Sequence, residues 1–214
     1  SPPSNYVHLL LTFLVLTSSF LFTPRKVVGG GFATRRDAAA RFIAACQVMD
    51  GGFVSTLWAS YAERDSHTTS LALRALYRMK ALSYIDVNFT VSYLKGCQDE
   101  SGGFTTAPAH RGYSDLHLVC TAADLESLSY LNALNAVDVE KAREFILSHY
   151  REDEGFNSGP NETNYRVFVT CVGVLALYFL GELDAIDREK TVEYIMSCYN
   201  EDGGSGLSRE LARA

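Results

Sequence analysis

Three kinds of landmark recur along this chain at steps of about 50 residues, and an internal repeat of that length constrains architecture before any single residue is considered. Asp50-Gly51-Gly52-Phe53, Ser101-Gly102-Gly103-Phe104, Glu154-Gly155-Phe156 and Asp202-Gly203-Gly204-Ser205 place their last positions 51, 52 and 49 residues apart. Seven residues before each of those positions stand Cys46, Cys97, His149 and Cys198. A third register, Ile85-Asp86, Val137-Asp138 and Ile186-Asp187, steps by 52 and then 49. Landmarks that move together in this way describe one supersecondary unit used several times.

The unit reads as helix, short turn, helix, glycine loop. In its first complete copy, Ser66 to Leu82 carries Leu71, Ala75 and Leu76 at helical spacing, and Asp86 stands where an N-cap is needed for a second helix running to about Cys97. The second copy repeats this as Leu116 to Leu134, Asp138 and Val139 to Tyr150; the third as Tyr165 to Leu183, Asp187 and Arg188 to Tyr199. A further helix from about Arg35 to Gln47 precedes the first glycine loop, and no strand pattern is evident. The Gly-Gly pairs end a helix with a residue free to take positive φ. They lack the strand context and the Lys-Ser/Thr of a phosphate-binding loop. The in-register cysteines read as small packing residues, a slot tolerant enough to admit His149.

The charge balance narrows the possible partners. A net charge of −6 without a long basic run leaves a phosphate backbone no electrostatic counterpart, which argues against nucleic acid. Five widely spread cysteines fit buried thiols in a reducing compartment better than a disulfide framework. Asn88-Phe89-Thr90 and Asn161-Glu162-Thr163 match the glycosylation sequon, a pattern that also arises by chance. The first residue is Ser1, as in a processed protein or a fragment. Tyr6–Phe22 is apolar and uncharged apart from His8, with Arg25, Lys26, Arg35 and Arg36 all following it. It reads as a retained transmembrane helix at the short end of the spanning range, the alternative being a buried helix docked on a partner. The resulting domain expectation is 1–34 for the apolar helix and linker and 35–214 for the repeat domain. The basic flank would put that domain on the cytosolic, matrix or stromal side, with a matrix-facing place at the mitochondrial inner membrane expected and the cytosolic face of an endomembrane as the alternative.

A helical hairpin of about 50 residues that ends in Cys-x6-Phe and is followed by an Ile-Asp-x-x-Lys helix start resembles the β subunits of protein prenyltransferases. Leu180-Gly181-Glu182-Leu183-Asp184-Ala185-Ile186-Asp187-Arg188-Glu189-Lys190 and Cys97-Gln98-Asp99-Glu100-Ser101-Gly102-Gly103-Phe104 read most like the Rab geranylgeranyl transferase members of that family. The resemblance covers about Arg35 to Leu207. It implies an all-α fold, an α/α toroid of which this chain would form about three and a half hairpins after one N-terminal hydrophobic helix. It also implies an apolar funnel for an isoprenoid diphosphate and a zinc ion held by Asp, Cys and His. The nearest imitation of the family's Asp-x-Cys pair is Ser114-Asp115-Leu116-His117 with Cys120 one turn on. Asp115, His117 and Cys120 are therefore weak metal candidates, and the blander reading makes them a cap, a rim residue and a core residue. Trp58, Tyr61, Tyr113, Tyr165 and Phe168 are candidates to line a lipid funnel, with Arg166 as the candidate diphosphate contact; aromatic residues at helical spacing are also ordinary core.

A repeat cannot bury its apolar face alone, so an open arc needs a neighbour, and Val167 to Leu180 is apolar almost all round. The expectation is a non-catalytic accessory subunit of a membrane complex that uses the toroid as a scaffold, without a catalytic residue or cofactor. The alternatives are a zinc-dependent geranylgeranyl transferase β subunit and an isoprenoid- or lipid-binding module.

Overall fold

The structure, a computed structural model, describes residues 31–57, 59, 64–110, 117–157 and 166–199. Among them are seven α-helices: α1 (Gly31–Ala45), α2 (Ser66–Arg78), α3 (Val87–Cys97), α4 (His117–Tyr130), α5 (Val139–Ser148), α6 (Arg166–Leu180) and α7 (Arg188–Ser197). Short 3-10 turns at Leu82–Tyr84, Leu134–Ala136 and Leu183–Ala185 join the two helices of each hairpin.

Helices α2, α4 and α6 pack side by side, α4 lying between the other two, while α3, α5 and α7 lie against that layer without comparable contact among themselves. A row that is close-packed on one side and spread on the other is curved, with α2, α4 and α6 forming its inner layer. The core fills the space between the layers. Phe53, Phe104 and Phe156, the aromatic residues that close the three glycine loops, are fully buried together with Leu73, Leu76, Leu94, Leu125, Leu128, Ile146 and Leu177.

The repeat seen in the sequence is a repeat of hydrogen bonds. Each loop aromatic donates its backbone N–H to a threonine hydroxyl on the following inner helix: Phe53 to Thr69 at 3.0 Å, Phe104 to Thr121 at 2.9 Å and Phe156 to Thr170 at 3.0 Å. Asp86, Asp138 and Asp187 cap α3, α5 and α7, each accepting from the backbone N–H three residues on at 3.0 Å. The residue after each loop cysteine or its histidine substitute then fastens one outer helix to the next. Gln47 and Gln98 each exchange two hydrogen bonds with the backbone of the next cap, Asp86 and Asp138, at 2.8 and 2.9 Å. Tyr150 uses its hydroxyl on Asp187 for the same purpose. The cysteine register is a packing slot, since Cys46, Cys97 and Cys198 are all buried.

The inner helices stop earlier than the apolar pattern predicts. Lys80, Asn132 and Gly181 take φ of 54°, 52° and 76°, and the next residue donates back to the carbonyl of Leu76, Leu128 or Leu177. This 6→1 bond is a Schellman ending, which satisfies a terminal carbonyl and turns the chain into the 3-10 connector. The apolar residues beyond it belong to that connector, which is why Leu82, Leu134 and Leu183 prolonged the helical pattern. Strand is present too: β1 (Tyr150–Arg151) pairs antiparallel with β2 (Gly155–Phe156), and isolated bridges Gln47↔Phe53 and Gln98↔Phe104 occupy the same place in the other loops. Two-residue strands have no alternation to detect. The approach they enforce is close, because Gly102 sits at φ 89° where a Cβ would collide with the Lys141 carbonyl.

Among the described residues no helix is long and apolar enough to cross a membrane. Tyr6–Phe22, the segment expected to span, lies outside the described residues, as does Asn161. At the other sequon Thr90 is fully buried and donates its hydroxyl to Gly51 and Asp86, so its threonine is part of the repeat's framework.

Candidate functional site on the inner layer

An inner helix has one face toward the loops and outer layer and an opposite face turned away from them. On α6 the first face is set by Val169, Thr170, Gly173, Ala176 and Leu177, all buried. Gly173 lies against the Phe156 ring, where a Cβ would have no room. Directly opposite, at helical intervals of three, four and three residues, stand Phe168, Cys171, Leu175 and Tyr178. All four are exposed, the apolar Phe168, Leu175 and Tyr178 by 55%, 38% and 61%. The helix that reads as apolar almost all round thus has one face in the core and the opposite face, an apolar stripe, exposed; on α4, which has an inner helix on each side, Ala122 and Glu126 in the registers of Cys171 and Leu175 are buried. Although the residue is exposed, partial desolvation raises the Cys171 thiol's pKa.

At the C-terminal ends of the inner helices the stripe joins an aromatic ladder. Tyr77 of α2 stacks on Tyr130 of α4 with centroids 4.3 Å apart, Tyr130 meets Phe179 of α6 edge-on at 6.1 Å, and Phe179 meets Tyr178 at 5.3 Å. One polar group interrupts it. Arg74 binds the Glu126 carboxylate through two nitrogens, and Tyr130 donates to Glu126 at 2.5 Å. Burial, reinforced by that hydrogen bond, pushes the Tyr130 phenol up to about 12, which keeps it a neutral donor at physiological pH. The guanidinium is therefore charge-compensated, and the wall is apolar and aromatic with one internally neutralised ion pair.

A second polar cluster lies deeper. The Asp124 carboxyl on α4 is fully buried and hydrogen-bonded to the Ser66 hydroxyl at 2.5 Å, with its second oxygen lacking a partner. Burial holds its pKa well above the usual carboxylate range. Its hydrogen bond to Ser66 fastens α2 to α4.

Of the residues singled out from the sequence, Phe168 is on the exposed stripe. Trp58, Tyr61, Tyr113, Asp115 and Tyr165 lie outside the described residues, as do the side chains of Arg166 and His117. Cys120 is buried in the core cluster. Among the described residues no group of three His, Cys, Asp or Glu side chains is placed to hold a metal ion. The sequence reading missed Tyr77, Tyr130, Tyr178 and Phe179; the signal for them was their shared register, 77 with 178 and 130 with 179, relative to Thr69, Thr121 and Thr170.

Among solved structures the chain is similar to Candida albicans protein geranylgeranyltransferase-I complexed with GGPP, with a TM-score of 0.63 and 22% identity, over 79% of this chain and 54% of that one. The chain thus spans about half the length of that relative, and the likeness is one of fold. No curated protein matches. The model of the prenyltransferase alpha-alpha toroid domain matches residues 3–114 and again residues 91–211, the two spans overlapping across α3 and together taking in nearly the whole repeat array. With its layered hairpins, recurrent glycine loops and curved inner layer, the chain belongs to the prenyltransferase alpha-alpha toroid family.

Proposed function

We propose that this chain forms part of the wall of a protein prenyltransferase-type toroid and holds the hydrocarbon of an isoprenoid diphosphate against its inner layer. The observation that carries the reading is the stripe Phe168, Cys171, Leu175 and Tyr178, continued by the aromatic ladder to Tyr77. A linear polyprenyl chain is a ribbon of apolar surface with a methyl group and a double bond in every unit. Aromatic and aliphatic side chains in a row bury it without requiring a hydrogen bond. The structurally similar geranylgeranyltransferase was solved with GGPP, which supports the same ligand class here. The family match begins at residue 3 and takes in Tyr6–Phe22. That supports reading this apolar run as another toroid helix, in place of the membrane anchor expected from its composition.

The accessory-scaffold reading rested on the departure of Ser114–His117 from the family's metal pair, on the short open arc and on Tyr6–Phe22 as an anchor, and the first and last of these lie outside the described residues. The isoprenoid reading instead stands on described side chains. It is tested by titrating the protein with a fluorescent geranylgeranyl diphosphate analogue. Leu175→Glu removes about 1.5 kcal/mol of apolar contact, so affinity falls about tenfold or more. The melting temperature falls by no more than about 4 °C, because Leu175 is already 38% exposed. Equal affinity in the variant overturns the assignment of this face.

A further inference from the structure

Between α1 and the turn that leaves α2 lies a cleft of about 260 Å³ whose chemistry differs from that of the inner layer. Ala40 and Ala81, both buried, line its depth, and Arg36, Asp37, Lys80 and Tyr84 line its rim. The rim charges do not cancel. The Asp37 carboxylate accepts from the Tyr84 hydroxyl and, at 2.8 Å, from Arg41 Nε, and the Arg41 guanidinium lies 4.9 Å from the centre of the Tyr84 ring. Those hydrogen bonds, the one from Tyr84 foremost, hold the Asp37 carboxyl below its ordinary pKa. Asp37 is therefore already matched by Arg41. Arg36 donates to the Met79 carbonyl, and among the described residues neither Arg36 nor Lys80 is ion-paired with a carboxylate. The C-terminal end of α2 would oppose an anion through its dipole, but its carbonyls are occupied. Ala75, Leu76 and Tyr77 accept from the backbone N–H groups of Met79, Ala81 and Lys80, and Met79 accepts from Arg36.

The other copies of the repeat show that this cleft is not a by-product of the fold. In register, Ala40 and Ala81 correspond to Arg143 and Glu182, which bridge the equivalent seam with an ion pair at 3.2 Å. Arg36 corresponds to Val87 and Val139, Lys80 to Asn132 and Gly181, and Tyr84 to Ala136 and Ala185. Only the first copy joins two small residues to two cations. Lys80 also stands at φ 54°, a left-handed conformation that glycine and asparagine adopt at least cost. Lysine is the locally less favourable choice there, and what it adds is an ammonium at the rim of the cleft.

We propose that this cleft binds the phosphate group of a small phosphomonoester. The Arg36 guanidinium and the Lys80 ammonium supply two positive charges and several N–H donors against a phosphate dianion. The volume exceeds that of a phosphate ion, which leaves room for a short organic remainder over Ala40 and Ala81 and beside the Tyr84 ring. The site shares no residue with the apolar stripe of the inner layer, so the two assignments stand or fall separately.

The test titrates isotope-labelled full-length protein with inorganic phosphate and, separately, with glycerol 3-phosphate, at constant ionic strength near neutral pH, and follows backbone amides by NMR. Saturable shifts at Met79, Lys80, Ala81 and Tyr84 below about 20 mM are expected, with glycerol 3-phosphate the tighter of the two. Lys80→Gly removes one charge and places at this position the residue that the third copy uses. It is expected to melt no lower than the parent and to bind at least about tenfold more weakly. Arg36→Gln, which keeps an N–H for the Met79 carbonyl, is expected to weaken binding to the same degree. The absence of saturable shifts at these amides with both probes overturns the proposal. So do folded Lys80→Gly and Arg36→Gln variants that bind as well as the parent. Equal affinity for the two probes also overturns it, by reducing the cleft to a site for a free ion.

Discussion

Replacing Thr69 by valine isolates the hydrogen bond that the repeat uses three times. The Thr69 hydroxyl accepts the Phe53 N–H at 3.0 Å and donates to the Asp65 carbonyl at 2.8 Å, with Phe53 and Thr69 both fully buried. Valine keeps the shape and the β-branching and removes the oxygen. The Asp65 carbonyl still accepts the Thr69 backbone N–H at 3.0 Å, so it remains satisfied. The Phe53 N–H does not: it lies in the core with no water to take the place of the hydroxyl. The cost is that of an orphaned buried donor, about 1–3 kcal/mol, partly offset by the gain of a methyl in an apolar site. For a chain of this size that is a fall of roughly 2–10 °C in melting temperature. Thr69→Ser retains the hydroxyl and loses one methyl, so it is expected to cost about 1 kcal/mol. Urea unfolding followed by circular dichroism on the three proteins decides it. Thr69→Val equal to or more stable than Thr69→Ser refutes the claim that this hydroxyl anchors the loop.

Three further substitutions probe the framework. Gly102→Ala forces a Cβ onto a residue at φ 89° and into the Lys141 carbonyl, and is expected to cost more than about 2 kcal/mol by urea unfolding. Gln98→Leu breaks both bonds to the Asp138 backbone at an exposed seam and is expected to cost only about 1 kcal/mol, since water replaces the lost partner. Burial raises the Asp124 carboxyl's pKa in the folded protein well above its unfolded value near 3.8. Its contribution to stability is therefore complete below that pH and is lost as pH rises through the folded pKa. Asp124→Asn is expected to flatten the decline in melting temperature as pH rises above about 4, and an unchanged slope counts against this carboxyl as its source.

The periodic features were legible because they are properties of sequence register. Glycine loops, cysteine slots and aspartate caps each fell where the spacing put them, since a cap or a tight loop is a local requirement met by one residue type. Helix ends were not legible. At Lys80 and Asn132 a left-handed residue other than glycine ends the helix, and apolar residues of the connector continue the helical period beyond it. The paired strands escaped notice because two residues cannot show alternation. The candidate site was partly visible. Phe168 was identified by type, whereas Tyr77, Tyr130 and Tyr178 become a surface only when α2, α4 and α6 are laid side by side, a property of packing across more than 100 residues of sequence. Val167–Leu180 illustrates the same limit: composition marks it as apolar, and only the neighbours decide which of its faces is core.

The isoprenoid-holding inner layer is tested most directly by photolabelling the protein with a geranylgeranyl diphosphate analogue carrying a diazirine in its hydrocarbon tail, then mapping the labelled peptides. Label concentrated on residues 166–180 and displaced by unlabelled geranylgeranyl diphosphate is the predicted result. Label that spreads over the outer helices, or that excess unlabelled ligand fails to displace, contradicts it.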